Sequence, residues 1–263
     1  MSLENQKGEL RGFLGEIVRE AGELALSHFG RVRMEAKGAS IVSEADRAVE
    51  RHLVSRIRSR FPADYILAEE SGVNGSARPG PATRWWTIDP IDGTGPYLSR
   101  LPFWSVSVAC LRGPRVEGAA VNMAALGEMF TAVEGEASLR NDAPLDPLCS
   151  DPPGPHAYLF VPCRNIERLC ISYAGRRLSL AAASVALAYT ALGSAFGTVL
   201  EPNCAYDFAP AAFILERAGG MVRYLSGKEV DYAELADGRL SPEPVVAAPA
   251  ALLDGLRKLV QWN

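Results

Sequence analysis

The chain lacks paired cysteines. Its five (Cys110, Cys149, Cys163, Cys170 and Cys204) are odd in number and form no C-x-x-C pair. That excludes a disulfide framework and a cysteine zinc site, and reads as reduced thiols of a cytoplasmic protein. Positive charge is also scarce: the formal net charge is −4 and the pI about 5.5, so no basic footprint points to nucleic acid. No apolar run reaches the ~18 residues of a membrane span, and the longest, 178–200, is interrupted by Ser, Thr and Gly. Residues 1–11 are polar and charged, unlike a signal peptide. Internal repeats and low-complexity tracts are absent. An acidic chain that handles an anion must bring cations to it, as local arginines or as bound metal.

What is present is a core-forming composition. The 263 residues are 48% hydrophobic and 22% charged, enough for one large domain or two small ones. Leu10, Phe13, Leu14, Ile17, Val18, Ala21, Leu24 and Ala25 recur at helical spacing. A second helix carries Ala45, Val49, Leu53 and Ile57 and opens at Ser43-Glu44-Ala45-Asp46, a capping-box-like start. Strands are predicted over 65–68, 85–88, 106–111, 116–123 and 128–133, several of them joined by Gly/Pro turns as in an antiparallel meander. The stretch 144–155 holds five prolines and marks a boundary. It divides an N-terminal α+β half (1–145), carrying most of the candidate metal ligands, from a C-terminal α/β half (146–263). In the second half the pattern predicts strand 157–162, helix 166–173, a strand near Leu178, helix 182–192 and strand 195–200. Helix 208–218, strands 221–224 and 244–248 and a terminal helix from Ala250 follow.

Acidic residues at element ends are the chemical signal. In Asp89-Pro90-Ile91-Asp92-Gly93-Thr94 a strand-like run ends in two carboxylates three apart. Asp92 could simply cap a helix beginning at Gly93. Two acids this close otherwise repel unless a cation lies between them or one takes a proton. Pro90 suits a tight turn, which leaves the Ile91 carbonyl as a third oxygen donor. An EF-hand loop from Asp89 is excluded, because its twelfth residue is Arg100. An aspartyl-phosphate mechanism is disfavoured by the spacing of the pair. Glu69-Glu70 is either a solvated loop entrance or a strand-end pair facing the same crevice. Asp46 and Asp207 each have a helix-capping reading of their own.

In combination these clusters resemble the inositol monophosphatase family, the lithium-sensitive, magnesium-dependent phosphatases. Trp86 to Thr94 matches its W-x-[IV]-D-P-[IL]-D-G-T signature in full, and Ala68-Glu69-Glu70-Ser71 stands for G-E-E-[ST]. Tyr206-Asp207 through Ala218-Gly219-Gly220 matches the second signature, with Tyr for Trp and Pro210 for Ala. Ser43 to Asp46 supplies [ST]-x-x-D, and 134–142 a weaker glycine motif. The similarity extends from the first helix to about Gly220. It implies a layered αβαβα fold, a homodimer, and hydrolysis of a small phosphorylated metabolite by a metal-activated water. By resemblance, Glu70, Asp89 and the Ile91 carbonyl hold one Mg²⁺, and Asp89, Asp92 and Asp207 a second. Asp46 and Thr94 activate the water, and the Gly93 and Thr94 N–H groups cradle the phosphate.

Three departures bear on the substrate. Residues 181–184 read Ala-Ala-Ala-Ser where the family has G-[ST]-A, so Ala182 lacks a hydroxyl. Gly95-Pro96-Tyr97 replaces a more polar stretch, and a short 37–46 loop counts against a third metal. Glu201 falls close to where relatives hold sugar hydroxyls with an acid. The leading expectation is an Mg²⁺-dependent phosphomonoesterase for a small polyol or sugar phosphate. Alternatives are a nucleotide 3′-phosphatase, a histidinol phosphatase, a fructose bisphosphatase and, from another class, a non-catalytic ligand-binding member.

Overall fold

The computed structural model describes residues 3–31, 35–37, 40–42, 44–74, 79–164 and 167–263. The order begins with α1 (Leu3–His28), β1 (Glu35–Lys37), β2 (Ser40–Val42) and α2 (Glu44–Arg60). Next come β3 (Tyr65–Ala68), β4 (Gly72–Asn74), β5 (Arg84–Asp92), the short α3 (Thr94–Leu98), β6 (Ser105–Arg112), β7 (Arg115–Met123) and β8 (Glu128–Val133). Then β9 (Leu139–Arg140), β10 (Ala143–Pro144), β11 (Tyr158–Phe160), β12 (Leu169–Ile171), β13 (Arg176–Leu178), α4 (Ala183–Ala191) and β14 (Gly197–Leu200). The chain closes with α5 (Ala205–Arg217), β15 (Gly220–Tyr224), β16 (Val245–Pro249), α6 (Leu253–Lys258) and β17 (Val260–Trp262). Ser43 of the expected capping box lies outside the described residues.

Five layers stack, as the αβαβα expectation requires. The large sheet has the order β10-β9-β8-β7-β6-β5-β3-β4 and the smaller one β13-β11-β14-β16-β15. From β5 to β10 the large sheet is the predicted antiparallel meander, but β3 joins β5 in parallel, with Tyr65 opposite Trp85 and Ala68 opposite Ile88. Side chains alternate across that sheet with period two. Ile66, Ala68, Trp86 and Ile88 pack with Phe13, Leu14, Ile17 and Val18 of α1 and Val49 and Leu53 of α2. Tyr65, Leu67 and Trp85 pack on the opposite face, in the cluster that holds Val185 and Leu187 of α4 and Phe208 and Leu215 of α5. That cluster draws on residues from both sides of the proline-rich stretch. The far face of the small sheet packs Leu159, Val199 and Val246 against Leu253 and Leu256 of α6. No helix among the described residues is long and apolar enough to cross a membrane.

One expected element is of the wrong type. Residues 166–173 were expected as a helix, yet Leu169–Ile171 is a strand antiparallel to Val260–Trp262, and residues 165 and 166 lie outside the described set. Leu169 is buried, Cys170 exposed, Ile171 half-buried and Ser172 exposed, which is a strand's alternation. The partner strand comes from the other end of the chain; there the expected terminal helix starts only at Leu253 and gives way to β17.

Candidate active site

An irregularity in β5 sets the geometry. Asp89 and Asp92 are three residues apart on their own strand, but they pair with Ser107 and Ser105, two apart on β6. Three residues along a regular strand would put the acids on opposite faces. The extra residue of this bulge brings both to the same face, the one toward α4 and α5. Gly93 follows at φ 85, in the left-handed region, and a Cβ there would lie 2.9 Å from both the Ala182 Cβ and the Phe103 carbonyl oxygen. Only glycine fits this turn.

β3 delivers the next acid, and here the sequence assignment needs correcting. The resemblance pointed to Glu70; the structure brings Glu69 to Asp89 instead. The Glu69 N–H donates to the Ile88 carbonyl at 3.2 Å, which extends the β3–β5 register to Glu69 beside Asp89. Glu69 shares a face with Leu67 and Tyr65, and its carboxyl hydrogen-bonds that of Asp89. One residue further along, in the turn after β3, the Glu70 N–H donates to Glu50 Oε2 of α2 at 2.7 Å, and Glu70 is not among the residues lining the cavity over these acids.

Asp92 does not cap the helix that begins beside it at Gly93, which has no side-chain cap. Its two oxygens accept the N–H groups of Ala183 (3.0 Å) and Ser184 (2.7 Å) at the start of α4, where Ala182 has no capping side chain. Asp92 therefore caps a helix of the other half. Asp207 is not the first cap of its helix. α5 opens at Cys204, whose N–H donates to Asp207 Oδ2 at 2.8 Å from the third helical position. The Ser184 hydroxyl donates to the Asp207 carbonyl at 2.9 Å, tying α4 to α5.

On the other face of the sheet, Asp46 of α2 is fully buried. The Thr94 hydroxyl reaches its Oδ1 at 3.4 Å and the Ile91 carbonyl at 3.2 Å, so the predicted Asp46–Thr94 pair is brought together with Ile91.

A cavity of about 310 Å³ opens over these groups. Glu69, Asp92, Asp207 and Glu201 line it, along with Gly93, Thr94 and the apolar Leu180, Ala181 and Ala182. Arg164 is the only cationic side chain among its described lining residues, and the sequence reading missed it. Ala181 sits at φ 57, so the backbone here keeps a conformation suited to glycine although the side chain is a methyl.

Four clustered acids, Asp89 and Asp92 buried and Glu69 and Asp207 half-buried, have little positive charge nearby and shift one another's titration. Burial raises all four, and mutual repulsion adds to it. Asp92 is pushed up to about 7 by burial, against the opposing backbone N–H bonds from α4. Asp207 is pushed up to about 8 by burial and then by Asp92. Glu69 and Asp89 are held well above the usual carboxylate range, first by burial and then by neighbouring acids. Asp89 Oδ1 is buried without a hydrogen-bond partner. Among the described residues no three acid, His or Cys side chains already close into a ligand set. The donor chemistry is nonetheless that of a hard divalent cation: all oxygen, strongly anionic and partly unsatisfied.

Known proteins share this construction. The family model described as the inositol monophosphatase family matches residues 7–260. The Thermotoga maritima fructose-1,6-bisphosphatase/inositol-1-monophosphatase is 34% identical over 228 residues, 82% of this chain and 85% of that protein. Human inositol monophosphatase 1 is 28% identical over 232 residues, covering 82% and 83%. A solved Thermotoga maritima IMPase aligns with a TM-score of 0.79 at 28% identity, over 93% of each chain. The extragenic suppressor protein suhB of Bartonella henselae shares the fold at a TM-score of 0.81 and 20% identity, over 95% of this chain and 98% of that one. With the family model spanning the chain from α1 to β17, and Glu69, Asp92 and Asp207 on one cavity, the chain belongs to the inositol monophosphatase family.

Proposed function

We infer that the protein is a phosphomonoesterase that hydrolyses a sugar or polyol phosphate at the acid-lined cavity. The observation that carries this is the cluster of four carboxyls, buried Asp89 and Asp92 with half-buried Glu69 and Asp207, gathered from the end of β3, β5 and α5, with Arg164 the one cationic side chain among the described residues lining the cavity. Mg²⁺ is the proposed ion. Glu69, in place of Glu70, would hold one with Asp89 and the Ile91 carbonyl, and Asp89, Asp92 and Asp207 a second. Bound Mg²⁺ lowers the proton affinity of water and offsets negative charge on phosphate oxygens.

The chain's own groups supply positioning and proton transfer. Thr94 Oγ1 donates toward Asp46, which leaves an oxygen lone pair free to accept a hydrogen bond from the attacking water. As the water oxygen bonds to phosphorus and the bond from phosphorus to the ester oxygen breaks, the water's proton passes to Thr94 Oγ1 and the Thr94 proton to Asp46, while the departing alkoxide takes up a proton from solvent water. The Gly93 and Thr94 N–H groups, held by the left-handed turn, cradle the phosphate oxygens. Glu201 and the methyl groups of Ala181 and Ala182 face the alcohol part of the substrate, and the missing hydroxyl at Ala182 removes one hydrogen bond to a polyol. Homodimer assembly and a cytoplasmic location belong to the same proposal, on the strength of the family and of the composition.

The test is release of inorganic phosphate from inositol, hexose, histidinol and nucleotide phosphates, with Mg²⁺ or with chelator. Turnover of a sugar or polyol phosphate that vanishes on chelation is expected; turnover that persists in chelator would overturn the metal reading.

A further inference from the structure

Helix α2 carries a second buried acid, Glu50, one turn after Asp46 and only 4% exposed. Residues four apart lie on one helix face, so Asp46 and Glu50 point at the same sheet. Neither oxygen of Glu50 reaches into the cavity, whose lining does not include it. Instead Oε2 accepts the N–H of Glu70 at 2.7 Å and Oε1 that of Ser71 at 2.8 Å.

These bonds bear on the residue just before them. The N–H of Glu69 is tied to the Ile88 carbonyl. The N–H of Glu70 belongs to the peptide unit on the other side of Glu69, and that unit is tied to Glu50. Because peptide units are planar, pinning both fixes φ and ψ of Glu69 and so the direction of its Cβ. Glu69 needs such restraint. Its carboxyl sits among the acids Asp89, Asp207, Glu70 and Asp46, so the direction of its Cβ decides which of them it meets. Two hydrogen bonds from successive peptides to one carboxyl resist rotation of the segment better than one.

We propose that Glu50 is a positioning residue for the metal site: by clamping the Glu70 and Ser71 peptides it holds Glu69 against Asp89, so that one turn of α2 sets both Glu69 and, through Asp46, the Thr94 hydroxyl. The proposal rests on reading the acid cavity as a metal site. Groups that orient metal ligands typically change metal affinity 10–100-fold when removed.

Calorimetric titration of Mg²⁺ into wild type, Glu50→Gln and Glu50→Ala, each well below its own Tm, tests it. The expected result is a Kd raised about tenfold or more in Glu50→Ala and by less in Glu50→Gln, which keeps one acceptor. A role in packing alone would lower Tm and leave the Kd of the folded variants where it was. Wild type that takes up Mg²⁺ while both variants match it overturns the role of Glu50 and leaves the metal reading intact. Wild type that takes up none overturns both. Should Glu50→Ala not fold, Glu50→Gln and amide exchange in wild type decide, since rapid exchange at Glu70 and Ser71 would show that no clamp exists.

Discussion

The choice between Glu69 and Glu70 is the sharpest test of the geometry, because adjacent identical side chains differ only in the face they occupy. In Glu69→Gln the side chain keeps its volume and loses its charge. Removing one preorganised electrostatic group from an active site costs about 3–4 kcal/mol of barrier, which at ~1.4 kcal/mol per factor of ten is a fall of about 10²–10³ in kcat. Mg²⁺ affinity should fall with it. In Glu70→Gln the backbone N–H still donates to Glu50, and the half-buried side chain lies outside the cavity lining. A change away from buried features stays within ~0.5 kcal/mol, about twofold in rate. A third measurement separates ligand loss from misfolding. In chelator, Glu69→Gln should melt higher than wild type at pH 8, because one of four mutually repelling acids has gone; in excess Mg²⁺ the order should reverse. Phosphate release gives kcat and calorimetry gives the affinity. If Glu70→Gln is the inactive variant and Glu69→Gln turns over normally, the β3–β5 register argument is wrong.

The remaining predictions concern charge, backbone and substrate. Metal-free protein should lose stability as pH rises: Asp92 and Asp207 titrate near 7 and 8 when folded against about 3.9 when unfolded, so the folded state retains protons the unfolded chain has released. That stability is full below about pH 4 and is lost through pH 7–8. Excess Mg²⁺ should flatten the decline, and Tm against pH with and without chelator checks both statements. Gly93→Ala should cost about 1–3 kcal/mol through its positive φ, with further loss from the 2.9 Å contacts, whereas Ala181→Gly should be neutral or stabilising by up to about 1 kcal/mol; urea denaturation measures both, and a stable Gly93→Ala would refute the steric argument. Arg164→Ala should raise KM for substrates bearing a second anionic group by about tenfold, the scale of one ~1.4 kcal/mol interaction, and leave singly charged sugar phosphates unchanged; equal effects on both would deny Arg164 a role in selectivity.

Much of this was written in short-range patterns. The motif from Trp86 to Thr94 and the amphipathic α1 and α2 need no partner to be recognised. What stayed hidden depends on partners distant in the chain. Whether Glu69 or Glu70 faces the cavity is decided by pairing with Ile88, about twenty residues on. The β12 strand read as a helix because β17, which gives its backbone a ladder, lies some ninety residues away. Glu50 could have been noticed as the acid one turn after Asp46 on a stripe of apolar residues, but nothing local says which backbone groups it meets. Asp92 and Asp207 were posed as either caps or ligands. Asp92 caps α4 rather than the helix at Gly93, Asp207 closes a capping box from the third position of α5, and both residues line the cavity.

The bulge in β5 has a consequence for how this segment tolerates change. Its surplus residue bends the strand where the acids sit: deleting Pro90 or Ile91 would leave the two aspartates two apart on a regular ladder with β6, still on one face, but would remove the bend that aims them and shift the Gly93 turn against Ala182 and Phe103. Residue number is therefore constrained here more tightly than residue identity. A conservative exchange at Ile91 costs some packing, whereas a single-residue deletion removes the bend itself. A library of one-residue insertions and deletions, sorted for folding, should be emptiest between Asp89 and Gly93.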